Sequence, residues 1–155
     1  LECFDFAAFG RNEETKELDF RQKMTKEQID LLNTKQLEEF FKTDLAKRMG
    51  IAAINGQLQK EKPFVMGISP KEAGLEDQVE TVILVQGIID VFFEEKNQIV
   101  LVDYKTDQVY HEEELVARYK KQMELYKMAI EKSTNKQVKE VILYSFSLQT
   151  QVKIL

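Results

Sequence analysis

The sequence predicts an α/β domain: a mixed β-sheet flanked by helices, with an N-terminal helical extension. Two apolar runs rich in β-branched and aromatic residues, 81–94 (TVILVQGIIDVFFE) and 99–106 (IVLVDYKT), are separated only by a short polar stretch. A long amphipathic segment, 112–132, is followed by a third apolar run at 138–148. The short polar stretch reads as the turn of an antiparallel hairpin. Strand, helix, strand reads as a right-handed crossover between parallel strands, so both kinds of pairing should meet in one sheet. With 155 residues, 43% of them hydrophobic, the chain can bury one core. We expect residues 1–58 to be an arm and helical extension of the same domain, and 59–155 its core.

Each element has a local reason. Residues 1–24 lack clear periodicity and are expected to form an irregular arm anchored by Phe4, Phe6 and Phe9. Thr25 with Gln28 fits a capping box opening a short helix through Leu32. Thr34, followed by Leu37, Phe40, Phe41 and Leu45, fits a second helix running towards Gly50. A strand is expected over 60–68, with Pro63 marking an edge, and a loop over 69–77. The two hairpin strands are apolar on both faces, as in a central sheet covered on both sides. The helix at 112–132 has an acidic first turn suited to the positive end of its dipole. Leu115, Tyr119, Tyr126, Ala129 and Ile130 form its apolar stripe, and Asn135 closes the segment. The 138–148 run is the last long strand, with 152–155 as a short partner.

Composition narrows the function. No run reaches membrane-spanning length and nothing at the start resembles a signal peptide, so a soluble protein is expected. The single cysteine, Cys3, points to a reducing cytoplasm. The chain starts at Leu1 rather than Met and is expected to be a fragment of something larger. A net charge of −5 argues against gripping nucleic acid by bulk electrostatics. Any such contact must be local, as at Lys105, Arg118, Lys120, Lys121 and Lys127. No G-x-x-x-x-G-K-[ST] loop occurs, so ATP should not be bound through a Walker motif.

The chemistry concentrates on Asp90, Asp103 and Lys105. A hairpin centred between Lys96 and Asn97 sets Asp90 opposite Asp103, and period-2 alternation puts Lys105 and Gln86 on the same face. Like charges so placed repel, and burying a carboxylate among Ile88, Phe92 and Leu101 is costly. A divalent cation would offset both effects, and oxygen-only ligation suits a hard ion such as Mg²⁺. A lysine beside it could steer a water or stabilise charge developing on a phosphate. The competing reading places both carboxylates at solvated strand ends, with Lys105 as an ordinary ion-pair partner. It sits poorly with strands otherwise apolar on both faces. Gln122, between Tyr119 and Tyr126 on the helix, is either a buried amide satisfied by backbone or, with Tyr126, a hydrogen-bonding partner of a carboxylate or phosphate.

Gln86-Gly87-Ile88-Ile89-Asp90, Asp103-Tyr104-Lys105-Thr106 and Tyr119-x-x-Gln122-x-x-x-Tyr126, in this order of strands and helix, resemble the RecB-type branch of the PD-(D/E)XK, or restriction-endonuclease-like, nucleases. The resemblance runs from about Glu61 to the C-terminus and is looser before it. It implies that Asp90 and Asp103, with the backbone carbonyl of Tyr104, bind a catalytic Mg²⁺ or Mn²⁺. Lys105 would position or activate the attacking water, and Gln122 and Tyr126 would support the site or contact the DNA backbone. It further implies DNA, single-stranded, as substrate, an AddB-like partner subunit and helicase domains in a parent chain, a bacterial cytoplasm, and a role in double-strand-break processing. One departure is evident. The family carries a histidine upstream as a further metal ligand, whereas the only histidine here, His111, follows the Asp-Tyr-Lys-Thr motif and is expected to be an exposed residue at the helix start. The alternative reading is a non-catalytic nuclease-fold module that guides DNA or docks subunits. A phosphate- or sugar-binding domain of another fold lacks the glycine-rich loop it would need.

Overall fold

A two-residue turn sets the register of the sheet. Lys96 and Asn97 both adopt positive φ, 53° and 61°, the requirement of a type I′ turn whose twist matches that of the flanking strands. In the computed structural model, which describes residues 5–11, 34–75 and 81–154, this turn joins β2 (Ile83–Glu95) to β3 (Gln98–Lys105). The ladder runs from Glu95 opposite Gln98 to Val91 opposite Val102, the register expected from the sequence. β1 (Leu58–Ile68) lies antiparallel to β2, β4 (Val138–Ser145) parallel to β3, and β5 (Thr150–Lys153) antiparallel to β4. The order is β1-β2-β3-β4-β5, a mixed five-stranded sheet.

Helices α1 (Phe6–Arg11), α2 (Thr34–Phe41) and α3 (Asp44–Ile54) cover one face. Phe40, Phe41, Leu45 and Met49 pack there on Val91, Phe93, Val100, Val102, Ile142 and Tyr144. Three expectations are corrected. Phe6 and Phe9 belong to a helix, not an irregular arm, because Phe6 is buried against the rings of Phe40 and Phe41. The helix expected from Thr34 is two helices. The Thr43 hydroxyl donates to the Phe40 carbonyl (2.6 Å) and accepts the Ala46 N–H (3.2 Å), ending one helix and capping the next. Gly50 is a buried interior residue of α3. The turn falls later, at Asn55 and Gly56, the latter with φ +68°. The expected helix at 25–32, Phe4 and Cys3 lie outside the described residues.

On the other face α4 (Glu112–Thr134) crosses between β3 and β4. Leu115, Met123 and Ile130 bury against Leu101, Val141 and Leu143. Glu114 accepts the backbone N–H of His111, the exposed N-cap, at 3.1 Å, and Asn135 ends the helix in the left-handed region.

The sheet is not covered on both sides along its whole length. In the outer half of the β1–β2 hairpin Val65, Leu84 and Ile88 are 65%, 69% and 58% exposed, on the α1–α3 side of the sheet but beyond those helices. Along β2 the alternation also slips once. Gly87 faces Phe64 and the Tyr126 ring, and Ile89 shares the α4-side core with Phe92, whereas Val91 and Phe93 face α1–α3. A spacing of three between Ile89 and Phe92 breaks the period of two. The reversal falls at Asp90, level with Glu61 on β1, a non-glycine residue at φ +48° and the gap in an otherwise regular pairing. Asp90 keeps the alternation of Phe92, two residues on, and faces α4, while the residues before it are the ones displaced. Gln86, expected to share that face, instead lies exposed on the opposite one beside its partner Val65.

Candidate active site

Three elements converge where β2, β3 and α4 meet. β3 alternates inward and outward, so Val102 and Tyr104 face α1–α3 while Asp103 and Lys105 face α4. Asp90 comes next in the hairpin register after the final ladder pair, Val91 with Val102. The Asp90 carboxylate accepts the Tyr104 backbone N–H at 3.0 Å, replacing a ladder hydrogen bond and tying the two strands where they open. The Tyr104 ring points away from the carboxylates, edge-on to Phe40 with its hydroxyl near Met49 Sδ, so only its backbone belongs to the site.

Asp103 is 2% exposed. Lys105 Nζ lies 2.6 Å from its Oδ2, a close ion pair between two largely buried groups. Burial pushes the Asp103 carboxyl up to about 6, Lys105 opposes that shift, and the charge of Asp90 adds to it. The same two carboxylates, after burial, raise the Tyr126 phenol.

α4 supplies the remaining groups. Gln122 Oε1 lies 3.3 Å from Lys105 Nζ, and its Nε2 donates to the Tyr126 hydroxyl at 2.8 Å. Neither reading of Gln122 describes these bonds: its partners are Lys105 and Tyr126, not backbone and not a carboxylate or phosphate. Lys105 Nζ also sits 3.8 Å from the centroid of the Tyr119 ring, and the Tyr119 hydroxyl donates to Asp107 at 2.8 Å. Asp107 also forms an ion pair with Arg118 at 3.0 Å. Helical periodicity assigns Tyr119 only to the apolar stripe and gives Asp107 no role. Their spacing, one helical turn before Gln122 and two residues after Lys105, is the signal that could have found them.

A buried carboxylate beside a second carboxylate, with one lysine as near cation, suits a hard divalent cation. The donor set of Asp90, Asp103 and a backbone carbonyl fits it in kind, although among the described residues no three His, Cys, Asp or Glu side chains cluster around a common point. Exposed cations on α4, including Lys120 and Lys121, lie on the helix that carries Gln122. Among the described residues no helix is long and apolar enough to cross a membrane.

Known proteins extend this geometry. The PD-(D/E)XK nuclease superfamily matches residues 7–153. An ATP-dependent helicase/nuclease subunit of Lachnoclostridium phytofermentans is 35% identical over 99% of the chain and 14% of its own length. Proteins of the same name from a Thermoanaerobacter species and from Clostridium beijerinckii are 42% and 37% identical, over 92% and 100% of the chain and 12% and 13% of theirs. The chain thus corresponds to a small part of these relatives. By the extent of the match and the identity of its relatives, the chain belongs to the PD-(D/E)XK nuclease superfamily.

Proposed function

We propose that the chain is a metal-dependent DNA nuclease domain that hydrolyses phosphodiester bonds, working as part of an ATP-dependent helicase/nuclease in double-strand-break end processing and recombinational repair. The observation that carries this reading is the convergence of Asp90 with Asp103, a carboxylate 2% exposed whose near cation is Lys105 at 2.6 Å. The names of the relatives, which pair helicase with nuclease, support the wider setting. In that setting the partners are DNA, single-stranded at the site, the helicase domains of a parent chain and an AddB-like subunit.

Asp90, Asp103 and the Tyr104 carbonyl would hold Mg²⁺ or Mn²⁺. Bound there, the cation would offset charge on the transition-state phosphoryl oxygens and favour both nucleophile and leaving group. The chain's own residues do the rest. Asp90 fixes the end of β3 through the Tyr104 N–H, which holds Asp103 and Lys105 at one level. The Lys105 ammonium, beside Asp103 and Gln122, is placed to orient an incoming water and to stabilise negative charge on a phosphate oxygen. Gln122 spends its amide on Lys105 and Tyr126 together, so the helix links the position of the ammonium to the phenol. Arg118, Lys120 and Lys121 provide local positive charge for a DNA backbone on a chain that is acidic overall.

The test is cleavage of single-stranded DNA with and without Mg²⁺ or Mn²⁺, in this chain and in a polypeptide of its relatives' length that carries it. Metal-dependent cleavage is expected, lowered about 10²–10³-fold by Lys105→Ala, as when one preorganised group facing developing charge is removed. Asp103→Asn should abolish the metal response. Absence of metal-dependent cleavage from the longer polypeptide would instead favour the docking or DNA-guiding module.

A further inference from the structure

Lysine is a poor tool for placing charge unless something holds it, because its ammonium rides on a flexible four-carbon stem. Lys105 is held on three sides. Asp103 Oδ2 lies at 2.6 Å, Gln122 Oε1 at 3.3 Å, and the face of Tyr119 at 3.8 Å to the ring centroid. The first two are polar contacts and the third is a ring face. A ring face cannot be exchanged for solvent without loss, and an ammonium at this distance is drawn to its electron-rich face.

Tyr119 is itself tethered. Its hydroxyl donates to Asp107 Oδ2 at 2.8 Å, while Asp107 Oδ1 takes the Arg118 guanidinium at 3.0 Å. Donation of the phenol proton to a carboxylate enriches the ring and strengthens its hold on a cation. Asp107 stands two residues beyond Lys105, and Arg118 and Tyr119 lie in the second turn of α4. The same bonds thus fix the end of β3, the start of α4 and the side of the ring that Lys105 meets.

We infer that Tyr119, tethered by Asp107, is a positioning residue that clamps the Lys105 ammonium towards Asp103 and Gln122. The inference rests on the reading of Lys105 as a working group of a nuclease. Its geometry, however, is testable without cleavage.

The first arm is NMR of the metal-free chain with labelled lysines. A methylene beside an ammonium seated on a ring face resonates upfield of ordinary lysines. One Lys ε-methylene resonance, assigned by its loss in Lys105→Arg, should be shifted upfield, stay so in Tyr119→Phe and return to the ordinary position in Tyr119→Leu. Unchanged remaining lysine resonances in Tyr119→Leu show that the fold is kept. The second arm is kinetics in the longer polypeptide with Mg²⁺ and single-stranded DNA. Tyr119→Leu should lower kcat about tenfold with KM unchanged, the size expected of a partly desolvated cation–ring contact. Tyr119→Phe, which keeps the ring, should restore most of the rate.

An ordinary Lys105 resonance in a wild type that cleaves DNA overturns the clamp and leaves the nuclease reading intact. An upfield resonance in a wild type that never cleaves overturns the nuclease reading and the positioning role with it. A kcat for Tyr119→Leu equal to wild type, or a loss confined to KM, also overturns the positioning role.

Discussion

Two clusters of carboxylates and cations lie on this sheet, and they push their acids in opposite directions. At the turn end, Arg48 donates to Glu95 at 3.0 Å and to Glu140 at 2.8 Å, Lys139 pairs with Glu95, and Lys153 reaches Glu140 at 3.1 Å. Cations outnumber carboxylates there, and Glu95, held first by Arg48, falls to about 2. At the open end, where Asp90 and Asp103 come together, the near cation among the described residues is Lys105, beside Asp103, and burial lifts Asp103 to about 6. The first cluster is complete as it stands. Among the described residues the second carries more negative charge than its neighbours neutralise, which is how a site that takes a cation from outside should differ from one that only ties strands together.

This contrast can be broken from either side. The largest expected effect is on the open end: Mg²⁺ at a hundredfold excess over its dissociation constant should stabilise the folded chain by about 2.7 kcal/mol. Thermal melts should show the gain in wild type and in Arg48→Met, and not in Asp90→Ala. A smaller effect belongs to the turn end, where Arg48→Met should cost about 1–2 kcal/mol in urea unfolding without altering the metal response, between the worth of exposed and of buried ion pairs.

The smallest effect is on acid stability. Glu95 has its folded value depressed from 4.5 to about 2, so its stabilisation is present in full above the unfolded value and is lost as pH falls through the folded one. Melting temperature should therefore drop less between pH 5 and pH 2.5, two values spanning most of that window, in Glu95→Gln than in wild type.

Much of this was legible in the sequence, and the rest was not, for definite reasons. The hairpin register could be read because a two-residue turn at Lys96 and Asn97 leaves the strands one way to pair. The parallel β3–β4 pair followed from a helix long enough to cross over. The slip at Asp90 could not be read, since it depends on Glu61 in another strand taking a positive φ. That slip sends Gln86 to the wrong face for the site. Asp90 itself, two residues before Phe92, keeps the alternation that sets it with Asp103. The break at Thr43 was hidden by the apolar spacing of Phe40, Phe41 and Leu45, which reads straight across two helices. The Arg48 cluster joins residues 47 and 92 positions apart, a distance at which sequence spacing carries no signal.

The open end of the sheet is expected above all to take up a divalent cation through Asp90 and Asp103. Calorimetric titration with Mn²⁺ reads this directly. A saturable binding heat is expected in wild type and in Arg48→Met, and none in Asp90→Ala or Asp103→Ala. Binding that survives loss of either aspartate, or no binding in the wild-type chain and in the longer polypeptide that carries it, would contradict it.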